Sequence, residues 1–140
     1  MLLLILLLAA SNLILWQRVN QLELNPGPGS MQAIPLVNTG IYPDATGFLI
    51  ISADGLSGAL IVDELPQLGE DKTYQLWLLR DGESASGALF SVDELGYGGT
   101  RVRAPESLFN YASAIITIEP VDGSHYPTTD QLLTVPLFNP

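Results

Sequence analysis

One histidine, fifteen carboxylates and no cysteine bound the chemistry open to this 140-residue chain. Without cysteine there is no disulfide, thiolate zinc site, iron–sulfur cluster or thiol nucleophile. A Ser–His–Asp triad would have to use His125, which sits in the turn-like stretch Asp122-Gly123-Ser124-His125-Tyr126-Pro127. No Gly-x-Ser-x-Gly elbow presents a serine, so His125 reads as a solvent-facing loop residue. Glu119, Asp122 and His125 are three apart and would share a helix face, but Pro120 and Gly123 forbid a helix there. The acidic pairs Asp63-Glu64, Glu70-Asp71 and Asp93-Glu94 lack the spacing of a calcium loop and read as exposed turns and strand ends. With so many carboxylates and no aromatic platform motif, no pair is selected for glycoside cleavage. Gly96-Tyr97-Gly98-Gly99 is a flexible turn with no following helix or lysine to cradle a phosphate. These residues support neither an enzyme nor a cofactor.

Charge narrows the partners. Five basic residues against fifteen acidic ones give a formal net charge of −10. Nucleic acid requires a basic footprint, and anionic lipid headgroups would repel this surface. The hydrophobic content of 47% excludes a disordered acidic tail.

Three local constellations remain. In Tyr74-Gln75-Leu76-Trp77 the two aromatic residues fall on opposite faces of a strand. One can fill a core while the other packs on a loop or rim, and Gln75 needs partners such as the backbone of a crossing loop. In Ser86-Gly87-Ala88-Leu89-Phe90, Gly87 permits a bulge or a close approach to the strand carrying Trp77. In Glu119-Pro120-Val121-Asp122-Gly123-Ser124-His125-Tyr126-Pro127-Thr128, Pro120 stops a strand and Asp122-Gly123-Ser124 turns the chain. That loop reads as a stiff corner or as a ligand rim.

The elements that must position these residues follow from periodicity. The first 17 residues carry no charge, and as a helix they span about 25 Å, a little short of a bilayer core. A signal peptide would begin with a basic region, and a core helix would show a polar face; neither is present. The expectation is a transmembrane span with Trp16 and Arg18 as interface anchors, the chain starting inside its own membrane helix. Leu15, Val19 and Leu22 continue the helical period, giving a helix and short stalk over residues 1–23. Residues 24–30, rich in Pro and Gly, form a linker, and residues 31–140 form the folded domain. That domain carries all of the net charge, which favours its lying outside the cytoplasm in a single-pass arrangement in the cell membrane.

From residue 31 the period changes from 3.6 to 2. Strands are expected over 32–37, 46–53, 59–62, 73–80, 87–92, 100–103, 112–119 and 132–136, with helical turns confined to 105–110 and 63–65. The steps Asp54-Gly55, Asp81-Gly82 and Asp122-Gly123 are strong turn signals between them. The strand at 73–80 is apolar on both faces and should be covered on both sides. The fold expected is mainly β: an antiparallel, immunoglobulin-like β-sandwich of about eight strands, preceded by one N-terminal transmembrane helix.

In this order and behind such a span, the constellations resemble the C-terminal domain of anti-sigma-K factors (RskA-type). Tyr74, Gln75, Leu76 and Trp77 match the first motif of that family, and Gly87 and Phe90 the second. Thr117, Glu119, Pro120, Gly123, Ser124, Pro127 and Thr128 match the third, with Asp122 standing where a Gly is usual. The matched positions look architectural; the resemblance implies no catalytic or metal-binding residue. It implies a single-pass regulator whose cytoplasmic part sequesters an alternative sigma factor, released through proteolysis of the outer part and then of the span. The partners implied are the bilayer through residues 1–17, membrane proteases, and a sigma factor held by an upstream segment not expected within these 140 residues. The alternative is a membrane-tethered sandwich binding a cell-wall glycan or small ligand at the 119–128 loop.

Overall fold

The computed structural model describes residues 11–14, 17 and 30–137. The chain divides into two compact units, residues 1–30 and 31–140. In the first, residues 11–14 and 17 are helical and exposed. Among the described residues no helix is long and apolar enough to cross a membrane. The span expected over residues 1–17 lies for the most part outside them, as does the linker expected over 24–30.

The described residues of the second unit form nine strands: β1 (Gln32–Pro35), β2 (Val37–Asn38), β3 (Thr46–Ile51), β4 (Gly58–Asp63), β5 (Lys72–Arg80), β6 (Glu83–Phe90), β7 (Gly98–Val102), β8 (Ser113–Pro120) and β9 (Leu133–Pro136). They form a four-stranded sheet in the order β1-β3-β4-β7 and a five-stranded sheet in the order β2-β9-β8-β5-β6. Every pairing is antiparallel. Alternate residues of both sheets meet in one core, including Leu49, Ile51, Leu60 and Val62 from the first and Tyr74, Leu76, Leu78 and Ile116 from the second. This is a sandwich of two sheets.

The strand expected over 32–37 is two strands, which makes the count nine rather than eight. β1 pairs with β3, whereas Val37 and Asn38 pair with Thr134 and Leu133 of β9 in the other sheet. The switch falls at Leu36, whose N–H still donates to the Gly47 carbonyl at 2.9 Å. Pro35 before it has no N–H to extend the ladder. Beyond the switch the Asn38 amide donates to the Tyr42 and Ala45 carbonyls at 2.6 and 2.8 Å and so fixes the following turn.

The 105–110 segment contributes a 3-10 turn at Leu108–Asn110, begun by Ser107, whose hydroxyl accepts from the Phe109 N–H. The helical turn expected at 63–65 does not form. Glu64 adopts a left-handed conformation (φ 60°), and the Asp63 carboxylate accepts from the Glu64 N–H at 3.0 Å. A short acidic side chain bonding its own neighbour in this way competes with a helical turn.

β5 lies between β8 and β6, and its burial on both faces has two different causes. Tyr74, Leu76 and Leu78 point into the inter-sheet core, while Thr73, Gln75 and Trp77 point to the opposite face and are buried as well. Opposite Leu76 and Trp77 the register slips by one residue, so Gly87 is the extra residue of a β-bulge in β6. A Cβ there would stand 3.3–3.4 Å from Leu76, Leu78 and Val102, which leaves glycine the fitting choice.

Candidate functional site

The outer face of the five-stranded sheet is crossed by a strap, residues 121–131, that follows β8. Its anchor is Glu119, near the end of β8 and fully buried. Register places Glu119 opposite Thr73 and Thr117 opposite Gln75, so Gln75, Trp77, Thr117 and Glu119 share this face. Pro120 ends the strand, and the Gly123 N–H donates back to the Pro120 carbonyl at 2.7 Å. Gly123 has φ 80°, and a Cβ on it would come within 3.0 Å of Leu89 and 3.2 Å of the Gln75 side chain. Both conformation and space therefore require glycine.

The strap is held from both ends by one carboxylate. Glu119 Oε1 accepts from the Thr117 hydroxyl at 2.6 Å and the Thr128 N–H at 2.9 Å. Its Oε2 accepts from the Ser124 hydroxyl at 2.8 Å and from the Thr128 hydroxyl. Gln75 exchanges two hydrogen bonds with the Ser124 backbone at 2.9 and 3.2 Å and donates to Ser86 Oγ at 2.9 Å. The Trp77 indole N–H donates to Thr117 Oγ1 at 2.9 Å, joining the ring to the same network. Further along, Thr129 Oγ1 both accepts from the Ile118 N–H and donates to the Ile118 carbonyl, as a neighbouring strand would.

Among the described residues no cation pairs with Glu119. The ion pairs among the described residues are Arg80–Asp81 and Arg80–Glu106. Burial pushes the Glu119 carboxyl up, but the hydrogen bonds from Thr117, Thr128 and Ser124 outweigh it and hold the group below its ordinary value. Four donors on one carboxylate are strong bonds because the acceptor is charged.

The thirteen motif residues divide between two places. Tyr74, Leu76, Gly87 and Phe90 belong to the inter-sheet side. There the Tyr74 ring stacks on Phe90 at 5.4 Å, and its hydroxyl, pushed up by burial, donates to the Pro66 carbonyl at 2.5 Å. Gln75, Trp77, Thr117, Glu119, Ser124 and Thr128 form the clamp; Pro120, Gly123 and Pro127 shape the strap between its anchors. Ser86 and Thr129 also take part, although neither is among the thirteen matched motif residues. Ser86 follows from counting along the hairpin from the Asp81-Gly82 turn, which sets it opposite Trp77 before the bulge at Gly87 is reached.

The structure separates the groups that catalysis or metal binding would bring together. Glu119 faces the sheet, while Asp122 and His125 are exposed on the strap. Among the described residues no group of three metal-ligating side chains comes together. Asp93 instead caps its own turn, accepting from the Leu95 and Tyr97 N–H groups at 2.9 and 3.0 Å. The arrangement orders a loop; the polar groups of the 119–128 segment that face the sheet are consumed in doing so.

Beside the strap runs an open groove of about 510 Å³, bounded on the other side by the β5–β6 hairpin. A second depression, of about 340 Å³, is rimmed by Asp44, Glu64 and Glu94 at another end of the sandwich.

Comparison with known proteins gives one family. The model described as anti-sigma-K factor RskA, C-terminal, matches residues 1–132. No curated protein matches the chain, and no solved structure does.

Proposed function

This chain belongs to the anti-sigma-K factor RskA C-terminal family, and on that premise we propose that it controls an alternative sigma factor from outside the cytoplasm. The family makes it a regulatory domain of an anti-sigma factor, with a sigma factor as the partner of the whole protein. In the mechanism proposed, residues 1–17 cross the membrane once and the β domain lies beyond it. The folded domain withholds the chain from membrane proteases; loss of its structure exposes the chain, and cleavage releases the sigma factor.

The observation that carries this reading is the family match, which covers the motif residues of both the core and the clamp. The first 17 residues, uncharged and long enough to approach the thickness of a bilayer, support the membrane arrangement. The clamp supports control through folding, because Glu119 ties β8 to the strap and Gln75 and Trp77 tie β5 to both, making one unit that loses several hydrogen bonds together.

The absence of cysteine allows a clean test. Leu95→Cys places a single thiol at an exposed position, for labelling of intact cells with a membrane-impermeant maleimide. Labelling without lysis is expected; protection until lysis would overturn the extracytoplasmic placement. In the same cells, with the upstream reading frame in place, a sigma-dependent reporter should rise for Glu119→Ala. An unchanged reporter, with the variant domain shown to be unfolded, would overturn control through folding.

A further inference from the structure

We propose that the groove between the strap and the β5–β6 hairpin binds a cationic amphipathic peptide, an apolar side chain flanked by basic ones. The floor is apolar, formed by Leu79 and Ile115, and the strap supplies Tyr126 and Pro127 as a wall. Asp81 and Glu83 stand on the hairpin rim. Its volume of about 510 Å³ fits a few side chains of an extended segment.

Two independent features give the groove its selectivity. The first is charge. Arg80, the cation at the groove, is paired with Glu106 at 2.8 Å and stacks over Tyr111 with 5.6 Å to the ring centroid. The Asp81 side chain is 92% exposed and lies 4.0 Å from Arg80, a long contact in water, and Glu83 forms no ion pair among the described residues. The rim is therefore acidic on a chain that is already at −10, which repels anions and draws cations.

The second feature is preorganisation. Tyr126 is 68% exposed, midway between Ser124 and Thr128, and both of these bond to the Glu119 carboxylate. A large aromatic ring is thus presented to solvent on a segment pinned at each end. Little conformational freedom remains for a ligand to remove, and the ring face suits a Lys or Arg side chain.

Such a peptide would be the signal read by the regulatory domain. The site depends on the anti-sigma reading only for that consequence, because binding is measured directly. The test uses the full chain in a non-ionic detergent with a fluorescein-labelled Lys-Leu-Lys-Phe-Lys probe, followed by anisotropy. Saturable binding is expected, weakened by salt and absent for the matched Gln-Leu-Gln-Phe-Gln probe. The double variant Asp81→Asn/Glu83→Gln should bind about tenfold more weakly, and Tyr126→Ala should weaken binding by a similar factor. Asn is well suited to the first position of this turn, where Asp81 has φ 53° and Gly82 φ 81°, so the hairpin is kept. Should Tyr126→Ala disturb the strap, the hairpin variant alone decides. Equal binding of the neutral probe, wild-type binding by the hairpin variant, or no saturable binding would overturn the proposal. So would displacement of the probe by chitotriose, which would make the groove a glycan site. None of these outcomes touches the maleimide or reporter result.

Discussion

Glu119→Gln isolates what the buried carboxylate contributes. The substitution keeps the shape of the side chain. Oε1 still accepts from Thr117 Oγ1 and Thr128 N, but as a neutral acceptor. An NH₂ group replaces Oε2, so the Ser124 and Thr128 hydroxyls must turn and accept instead of donating. Hydrogen bonds to a charged group contribute about 1.5–3 kcal/mol and neutral ones about 0.5–1.5, so two weakened bonds alone lose roughly 2 kcal/mol. Relief of the desolvation of the charge offsets part of this, and the two reversed bonds add to it; the expected loss at pH 7 is about 2 kcal/mol. The sign of the pH dependence is set by the depressed value of Glu119 relative to its ordinary 4.5. Its stabilisation is fully present above about pH 5, where the group is ionised in both folded and unfolded chains. It is lost as pH falls through the folded value, because the unfolded chain then binds the extra proton. The difference between wild type and variant should therefore narrow steadily below about pH 4.5. Urea unfolding followed by tryptophan fluorescence, in a Trp16→Phe background that leaves Trp77 as reporter, measures both quantities. A difference under about 0.5 kcal/mol at pH 7, or one that does not narrow in acid, would refute the clamp as described.

Two further outcomes test the same architecture. Trp77→Ala should lose about 3–5 kcal/mol, the cost of emptying a fully buried indole site, and Trp77→Phe a smaller amount that reflects the bond to Thr117; urea midpoints at constant m-value separate the two. Gly123→Ala should cost more than about 1 kcal/mol, since φ 80° and the Leu89 contact at 3.0 Å both oppose a Cβ, and hydrogen exchange should speed up at the Ser124 and Thr128 amides before the rest of the sheet.

The sandwich was legible in the sequence because alternation and Asp-Gly turns are local signals. The strand at 73–80 announced its coverage on both faces, and Gln75 its need for backbone partners from a crossing loop; the Ser124 backbone supplies them. What was not legible depends on register across the sheet. The bond from Trp77 to Thr117 spans 40 residues and exists only because β5 and β8 align Gln75 with Thr117. The bulge at Gly87 lies beyond Ser86, so a count from the Asp81-Gly82 turn sets Ser86 opposite Trp77 but misplaces Ala88, Leu89 and Phe90 by one residue. The break at Leu36 was hidden because both of its halves are extended, and only the choice of partner strand distinguishes them. The acidic residues were readable as a charge total, whereas the one that is buried among hydroxyls had to be seen in place.

The switch at Leu36 also decides how the domain bears mechanical load. Tension transmitted along the chain from residues before Met31 enters at β1, which is an edge strand of four residues, mostly exposed. Peeling β1 from β3 breaks its ladder a few bonds at a time, and this requires far less force than shearing the nine-residue β5 from its two neighbours. Once Pro35 is free, that end is still held by the Leu36 bond to Gly47, the two-residue pairing of β2 with β9 and the bonds of Thr39 to Gln131 and Leu132. The sandwich thus has a weak seam at the point where the chain enters and a strong one under the strap. A pull on the N-terminal side would strip one edge while the Glu119 clamp stayed closed.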